Sequence, residues 1–241
     1  SAEIPGDLRS LNRIALDDAV KAGDVDVLKT GKAEKYVIKF LGKPWNKLSS
    51  TLTAIGSIGY YEDGPRKAVE SLKGRTIPED LARRFEELRR RRFAQAFAML
   101  SRRGLKTGKW VQWYHLGDLF RGLGSKAVGT LTSMLSYRRN VDRMKYLIGF
   151  MNFDPEIPGL GRIKGSWVKA SIRAPKPLAK LIGEGGMPAI SDLAVEAAKR
   201  IGGSADGHAY AASGLIPAGR EEGFIREYDG LVEEFKRGRK P

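Results

Sequence analysis

The stretch from Gly202 to Pro217, GGSADGHAYAASGLIP, constrains the fold more than any other part of the chain. It holds four glycines, four alanines and His208, one of the chain's two histidines. Glycine is used where the backbone takes a positive φ or approaches another group closely. We therefore predict a tight turn at Gly207-His208 and an alanine-rich helix start from Ala209 on. Such a helix start has N–H groups free to bind an anion such as a phosphate.

A second candidate for anion binding lies upstream, in the segment VKASIR from Val168 to Arg173. This segment is typical of a strand, and it ends in the hydroxyl of Ser171 and the guanidinium of Arg173. These two groups are well suited to hold a phosphate. The alternative interpretation is that the glycine-rich stretch binds nothing and is only a tight connection in an α/β domain.

Together, the two segments resemble the C-terminal DHH-associated domain of the RecJ-like phosphoesterases. In that family a Ser-x-Arg strand and a Gly-Gly-His-x-x-Ala-Ala-Gly turn hold the nucleic-acid backbone. The residues that match the two motifs are Ser171, Arg173, Gly207, His208, Ala211 and Ala212. Asp206 and Ser213 stand where the family has glycine, and an acid beside a phosphate weakens anion binding. The resemblance is most specific over residues 160–236.

An earlier segment, AIGSIG at residues 54–59, resembles the end of the catalytic domain of the same family. Tyr60 follows it, where the family places an aspartate that helps to hold two metal ions. A phenol does not offer the carboxylate oxygens that Mn²⁺ and Mg²⁺ prefer. The chain also has no His-His pair. We therefore expect no catalytic residues, no metal site and no cofactor, although residues 54–59 could also be an ordinary helix of small residues.

Composition limits the compartment and the partners. The 241 residues are 41% hydrophobic and 29% charged, which is typical of a soluble globular protein. The absence of cysteine excludes a disulfide framework and a thiolate site, and fits an intracellular protein. No apolar run approaches the roughly 20 residues that cross a bilayer. A formal net charge of +15 favours a polyanionic partner, so we expect a cytoplasmic, nucleoid-associated protein.

The strongest helical pattern, LARRFEELRRRRFAQAFAML, runs from residue 81 to residue 100. Apolar residues recur every three to four positions along it. Its other face carries six arginines, among them Arg89, Arg90 and Arg92, against two glutamates. This excess suits a phosphate backbone or an acidic partner, whereas a solvated face is the ordinary explanation. Three aromatic residues follow among basic ones and could stack on bases or belong to the core: Trp110, Trp113 and Tyr114.

The order of elements predicts an α/β fold with two domains. Residues 1–155 would form a partial RecJ/DHH-type α/β domain with a helical connector, and residues 156–241 a DHH-associated α/β domain with a mixed sheet. Residues 154–161 are the predicted linker. Before it we predict a helix at 125–135 and a buried strand or short helix at 146–153. After it we predict strands at 162–173 and 214–217, and helices at 177–183, 190–201 and 220–235.

A shortened RecJ-like chain with its nucleic-acid-binding half retained resembles the inactive archaeal RecJ-like proteins that associate with GINS. These are counterparts of the RecJ-derived subunit of the eukaryotic CMG helicase. The resemblance implies a non-catalytic replication factor that binds the GINS complex and the MCM helicase and contacts single-stranded DNA. The implied DNA contacts are Ser171, Arg173, Gly207, His208 and Ala211, with Arg89, Arg90 and Arg92 as a second surface. Two alternatives stay open: a metal-dependent single-strand exonuclease whose catalytic half is missing here, and a free-standing nucleic-acid-binding module.

Overall fold

A computed structural model describes residues 6–30 and 33–238 of the chain. The α-helices in this part are α1 (Gly6–Lys21), α2 (Trp45–Thr53), α3 (Gly64–Lys73), α4 (Glu79–Arg103), α5 (Ala127–Leu135), α6 (Lys176–Gly183), α7 (Ile190–Arg200) and α8 (Glu221–Lys236). The strands are β1 (Val25–Thr30), β2 (Ala33–Ile38), β3 (Lys43–Pro44), β4 (Lys106–Thr107), β5 (Val111–His115), β6 (Tyr146–Asn152), β7 (Glu156–Ile157), β8 (Gly161–Arg162), β9 (Trp167–Arg173), β10 (Ser204–His208) and β11 (Ala211–Pro217). None of the described helices is long and apolar enough to span a bilayer.

Six strands form one large sheet in the order β10-β11-β9-β6-β5-β4. Strands β5 and β6 are parallel, and the other neighbouring strands of this sheet are antiparallel. A small sheet, β1-β2-β3, comes earlier in the chain, and β7 and β8 form a separate hairpin. The predicted α/β class with a mixed sheet is confirmed. The predicted helix at 81–100 corresponds to α4, and those of the C-terminal region correspond to α6, α7 and α8.

The two faces of the large sheet are covered differently. On one face, alternate residues of β6 and β9, such as Phe150 and Ile172, pack in a fully buried core with α6, α7 and α8. On the other face, Leu147 and Met151 of β6 pack with apolar residues of α4 and α5. Strand β9 shows polar side chains on that second face. The second face is therefore mainly apolar over β5 and β6, and it carries polar side chains over β9 and at Ser213 of β11.

The division predicted at residues 155/156 does not separate two sheets. Strands β4 to β6 come before it and β9 to β11 after it, and β6 pairs with β9 along its length. For residues 146–153 the sequence predicts a buried strand or a short helix, and the structure has a strand there. All of this strand, β6, is buried except Asn152. A buried strand needs hydrogen-bonding partners on both edges, which here are β5 and β9. The predicted linker at 154–161 contains most of the β7-β8 hairpin.

The helix start predicted after Gly207-His208 is wrong. Strands β10 and β11 form an antiparallel hairpin in which His208 lies opposite Ala211. The small residues serve strand packing instead, since a Cβ on Gly207 would lie 2.5 Å from the Cα of Ala212. Ala212 is itself buried in the core that includes α7. The free N–H groups of a helix start are therefore not provided at Ala209.

The aromatic residues after α4 belong to strand β5 and the residue before it. Trp113 and Tyr114 are only 8% and 3% exposed, so their rings do not reach a base. Trp110 is half-buried, and its Nε1 donates a hydrogen bond to Glu233 Oε1 at 2.8 Å. The core alternative is therefore confirmed for the two buried rings.

A buried hydrogen bond of 2.8 Å joins Tyr114 Oη on β5 to Thr132 Oγ1 on α5. Thr132 donates its own proton to the Val128 carbonyl at 2.7 Å, so Tyr114 is the donor. We expect Thr132→Val to lower the free energy of unfolding by about 1–3 kcal/mol, because the buried Tyr114 hydroxyl loses its acceptor.

Adding Tyr114→Phe to Thr132→Val removes that stranded donor, so the double variant should be more stable than Thr132→Val alone. Equilibrium urea unfolding of the wild type, both single variants and the double variant measures this coupling. A double variant less stable than Thr132→Val would contradict the assigned direction of the hydrogen bond.

Candidate nucleic-acid interface

A cleft of about 440 Å³, here called the sheet cleft, opens between α5 and strands β9 and β11. Its lining residues are cations, hydroxyl residues and one glycine: Ser125, Lys126, Gly129, Thr130, Ser133, Lys169, Ser171, Arg173 and Ser213. No carboxylate is among the described residues that line it. Likewise, no three His, Cys, Asp or Glu side chains of the described chain are grouped as metal ligands would be. A lining of cations and hydroxyl donors suits an anion.

The alternation of β9 brings three polar side chains to the sheet cleft. Lys169, Ser171 and Arg173 are spaced by two residues, so they share one face of the strand. The residues between them are apolar and lie in the core beneath α6, α7 and α8. The sequence KASIR thus supplies an ammonium, a hydroxyl and a guanidinium in one row along the strand.

Helix α5 lies close against β9 because Gly129 has no side chain. A Cβ at Gly129 would lie 3.2 Å from Ser171 Oγ and 3.4 Å from Arg173 Nη2. Ser133, one turn later on α5, accepts a hydrogen bond of 2.9 Å from Arg173 Nε. The helix therefore both admits the guanidinium and fixes its position at the wall of the cleft.

Within residues 6–30 and 33–238, the hydrogen-bond acceptors of Arg173 are all neutral. Besides Ser133 Oγ, its Nη1 donates to the carbonyl oxygens of Ile172 at 2.7 Å and Ala212 at 3.4 Å. Burial lowers the pKa of Arg173, yet a guanidinium stays protonated in proteins. The cleft therefore contains a fixed positive charge that is partly removed from water and is not neutralised by a bound carboxylate.

Ser171 lies between the two cations of β9 and is only 1% exposed. Its Oγ is buried and has no hydrogen-bond partner in the described part of the chain. Leaving a buried hydroxyl unsatisfied costs about 1–3 kcal/mol. An oxygen atom of an anion in the cleft would accept this hydrogen bond and would interact with the charges of Lys169 and Arg173.

Lys169 is held by a residue that departs from the family motif. Its Nζ donates to Ser213 Oγ at 2.9 Å, and Ser213 lies opposite Ser171 on β11. Burial lowers the pKa of Lys169, and the charge of Asp206 partly opposes this shift. Asp206 is exposed on β10 and does not line the cleft.

The cross-strand register shows where the other predicted residues lie. Arg173 is opposite Ala211, and Ala211 is opposite His208. Paired residues share a face, so His208 lies on the cleft side, two strands or about 10 Å from Arg173. Neither His208, which is exposed, nor Ala211 lines the cleft. Gly207 is opposite Ala212 and so belongs to the other face.

The predicted arginines of α4 do not line the sheet cleft. Arg89 and Arg90 line a separate groove of about 730 Å³ between α4 and α5. Arg92 lines neither cavity. Its Nε is buried without a hydrogen-bond partner in the described part of the chain. The structure therefore brings Ser171 and Arg173 together and places two of the three arginines on the far side of α5.

Sequence reasoning missed several residues of the cleft. Lys169 could have been found, because the spacing that relates Ser171 to Arg173 also relates Lys169 to Ser171. Ser213 could not, since its position depends on the register of β11 against β9. Lys126 and Ser133 carry no local signal, because only the packing of α5 brings them to β9.

No protein-family model and no curated protein sequence matches this chain. Solved structures give weak likenesses. The C-Ala domain of alanyl-tRNA synthetase from Aquifex aeolicus aligns over 54% of this chain and 95% of that chain, with 14% identity and a TM-score of 0.35. The DHH domain of a member of the S1P family of ribosomal proteins aligns over 64% and 32%, with 12% identity and a TM-score of 0.39. The pGpG-specific phosphodiesterase PggH from Vibrio cholerae aligns over 81% and 60%, with 14% identity and a TM-score of 0.43. The last two matches span about a third and three fifths of those chains. All three TM-scores are below 0.5.

The lowered pKa of Lys169 predicts how anion binding depends on pH. A bound anion favours the charged amine and so raises this pKa. The affinity for sulfate, whose charge is constant in alkaline solution, should be flat while Lys169 is protonated. It should fall as the pH rises through the pKa of the free cleft, which lies below the usual value of about 10.4.

Lys169→Arg is the matched variant, because it keeps a positive charge at alkaline pH. We expect its sulfate affinity to show no such fall. Calorimetric titration of both proteins with sulfate over a series of alkaline pH values measures the difference. An equal fall in both proteins would exclude Lys169 as its source.

Proposed function

We propose that this chain is a non-catalytic RecJ-like replication factor that holds single-stranded DNA in the sheet cleft. The observation that carries the proposal is the buried, unpartnered Ser171 Oγ between Lys169 and Arg173. A phosphodiester supplies a negative charge for the two cations and an acceptor oxygen for the hydroxyl. All three groups are supplied by strand β9, and the resemblance assigns two of them, Ser171 and Arg173, to backbone binding.

The composition of the cleft favours recognition of a backbone rather than of bases. Its polar groups are cations and hydroxyls, which bind phosphate oxygens and position a strand without reading its sequence. The two largest aromatic residues of β5 are buried, so the cleft is not lined by rings on which bases could stack. We therefore expect little preference for base sequence at this site.

The non-catalytic part of the proposal is supported by Tyr60. This residue lies in a 3₁₀ turn, Tyr60–Glu62, directly after a π-helical turn at residues 54–58. Its ring packs edge to face against Tyr61, with 5.2 Å between the ring centroids. A metal-dependent exonuclease is the alternative, and it would need a group of carboxylate ligands here. The two nearest acids, Glu62 and Asp63, instead form ion pairs with Arg84 and Arg66.

The partner proposal, association with the GINS complex and the MCM helicase at the nucleoid, rests on the sequence resemblance alone. Recovery of GINS and MCM subunits with this chain from a native lysate tests it. Their absence, with DNA binding intact, would favour the free-standing nucleic-acid-binding module.

We expect the chain to release no 5′ nucleotides from labelled single-stranded DNA in the presence of Mn²⁺, because Tyr60 replaces a carboxylate ligand. Thin-layer separation of the labelled products over several hours checks this. An active RecJ-like exonuclease under the same conditions shows that the assay works. Release that EDTA stops, and that stays with the protein through purification, would support the exonuclease alternative.

Arg173→Ala should weaken the binding of single-stranded DNA and reduce its dependence on salt. Each phosphate contact to a single strand contributes about 0.7 to the slope of log affinity against log salt concentration, so the slope should fall by about that amount. Fluorescence anisotropy with a labelled oligothymidylate between roughly 50 and 200 mM salt measures it.

Arg226→Ala is the matched control for this measurement. Arg226 is exposed on α8, which covers the opposite face of the large sheet, and its loss changes the net charge equally. Its slope should equal that of the wild type. If both variants change the slope equally, the effect belongs to net charge and not to the sheet cleft.

A further inference from the structure

The groove between α4 and α5, here called the helix groove, has a volume of about 730 Å³. Its lining includes the apolar side chains of Phe97 and Met134 as well as Arg89 and Arg90. Met134 is 45% exposed although it is apolar. The helix groove thus combines an apolar floor with a cationic edge, as single-strand binding surfaces do.

The charge at this groove is only partly neutralised within the chain. Arg83, another lining residue, pairs with Asp80 at 2.6 Å, whereas Arg89 and Arg90 form no ion pair among the described residues. Two acids, Glu86 and Glu87, also line the groove. Arg138 does not line the groove, but its guanidinium lies 4.7 Å from the centroid of the Phe97 ring. With Arg138 included, three arginines other than the paired Arg83 lie around the apolar floor, against these two acids.

The helix groove and the sheet cleft meet at one residue. Thr130 of α5 lines both cavities, and it is exposed. Lys126, the residue directly before α5, is also exposed and lines the sheet cleft. The two cavities therefore lie on either side of α5, and the surface between them carries a hydroxyl and an ammonium.

We propose that the two cavities form one track and that a single strand of DNA crosses α5 at Thr130. Phosphates lie against Arg173 on one side of the helix and against Arg89 and Arg90 on the other, and bases cover the floor at Phe97. A helix with its side chains is about 10–12 Å wide. At about 3.4 Å per stacked nucleotide, the crossing takes about three nucleotides. This inference rests on the proposed function of the sheet cleft.

The test uses a thymidine dinucleotide as the short probe and an oligothymidylate of about 16 nucleotides, the upper end of single-strand site sizes, as the long one. The long probe reaches across α5, whereas the dinucleotide is shorter than the crossing of about three nucleotides. We expect Arg89→Ala/Arg90→Ala to weaken binding of the long probe about tenfold and to lower its salt slope by about 1.4, for two lost phosphate contacts. Binding of the short probe should not change.

The matched control is Arg102→Ala/Arg103→Ala, which removes two exposed arginines from the same helix beyond the groove. It should change the affinity for neither probe. Equal weakening of both probes by Arg89→Ala/Arg90→Ala would show a general charge effect and overturn the track. No weakening of the long probe would overturn it as well, and would leave the groove to another partner, such as an acidic protein segment.

Arg173→Ala separates failure of the track from failure of the proposed function. If it weakens both probes while Arg89→Ala/Arg90→Ala leaves the long probe unchanged, the track fails and the sheet cleft stands. If Arg173→Ala changes neither probe, or the wild type binds neither, the proposed function fails and the track fails with it. Equal urea midpoints for all variants show that the differences arise from the surface and not from folding.

Discussion

The close approach of α5 to β9 is the contact on which the candidate site depends. Gly129 favours it, because a side chain there would meet Ser171 and Arg173 tightly enough to shift them by a few tenths of an ångström. Two hydrogen bonds hold α5 against the sheet. One joins Arg173 on β9 to Ser133, and the other joins Tyr114 on β5 to Thr132. The same helix therefore closes the core over β5 and β6 and forms one wall of the cleft over β9 and β11. The apolar core and the candidate site therefore both depend on α5, which contributes neighbouring residues to each.

The fold could be predicted from the sequence wherever a strong period is present. Helix α4 shows its apolar stripe from Leu81 to Leu100, and the unbroken apolar run YLIGFM has the composition of a buried strand. Pairing could not be predicted in the same way. The residue pattern of β6 does not indicate which strand pairs with it. Its partner is β9, which follows only after a hairpin and a proline-rich segment. The predicted boundary at 155/156 followed composition, whereas the hydrogen bonds of the sheet cross it.

The candidate site shows the same limit at the level of single residues. Ser171 and Arg173 could be predicted because the side-chain period of a strand is a local property. The sequence predicts a tight turn at Gly207-His208 and a helix start from Ala209, because glycine and alanine suit this arrangement as well as the close packing of strands. The second use applies here, since Gly207 leaves room for Ala212. Composition cannot separate the two uses, because what decides between them is a neighbouring strand that is distant in sequence.

On the second face of the large sheet, two cations of β9 are partly removed from water. Over β5 and β6 the chain covers this face with apolar residues, and the same solution was available for β9. Instead, Lys169 and Arg173 are partly desolvated with neutral oxygen partners, and both pKa values are lowered by burial. Partly buried charges of like sign raise the free energy of the folded state. Functional sites are where such local conflicts are retained. An anion that binds the folded chain alone offsets this cost by mass action. Under the proposed function, the partial burial that makes these two charges costly is also what strengthens their attraction to a phosphate.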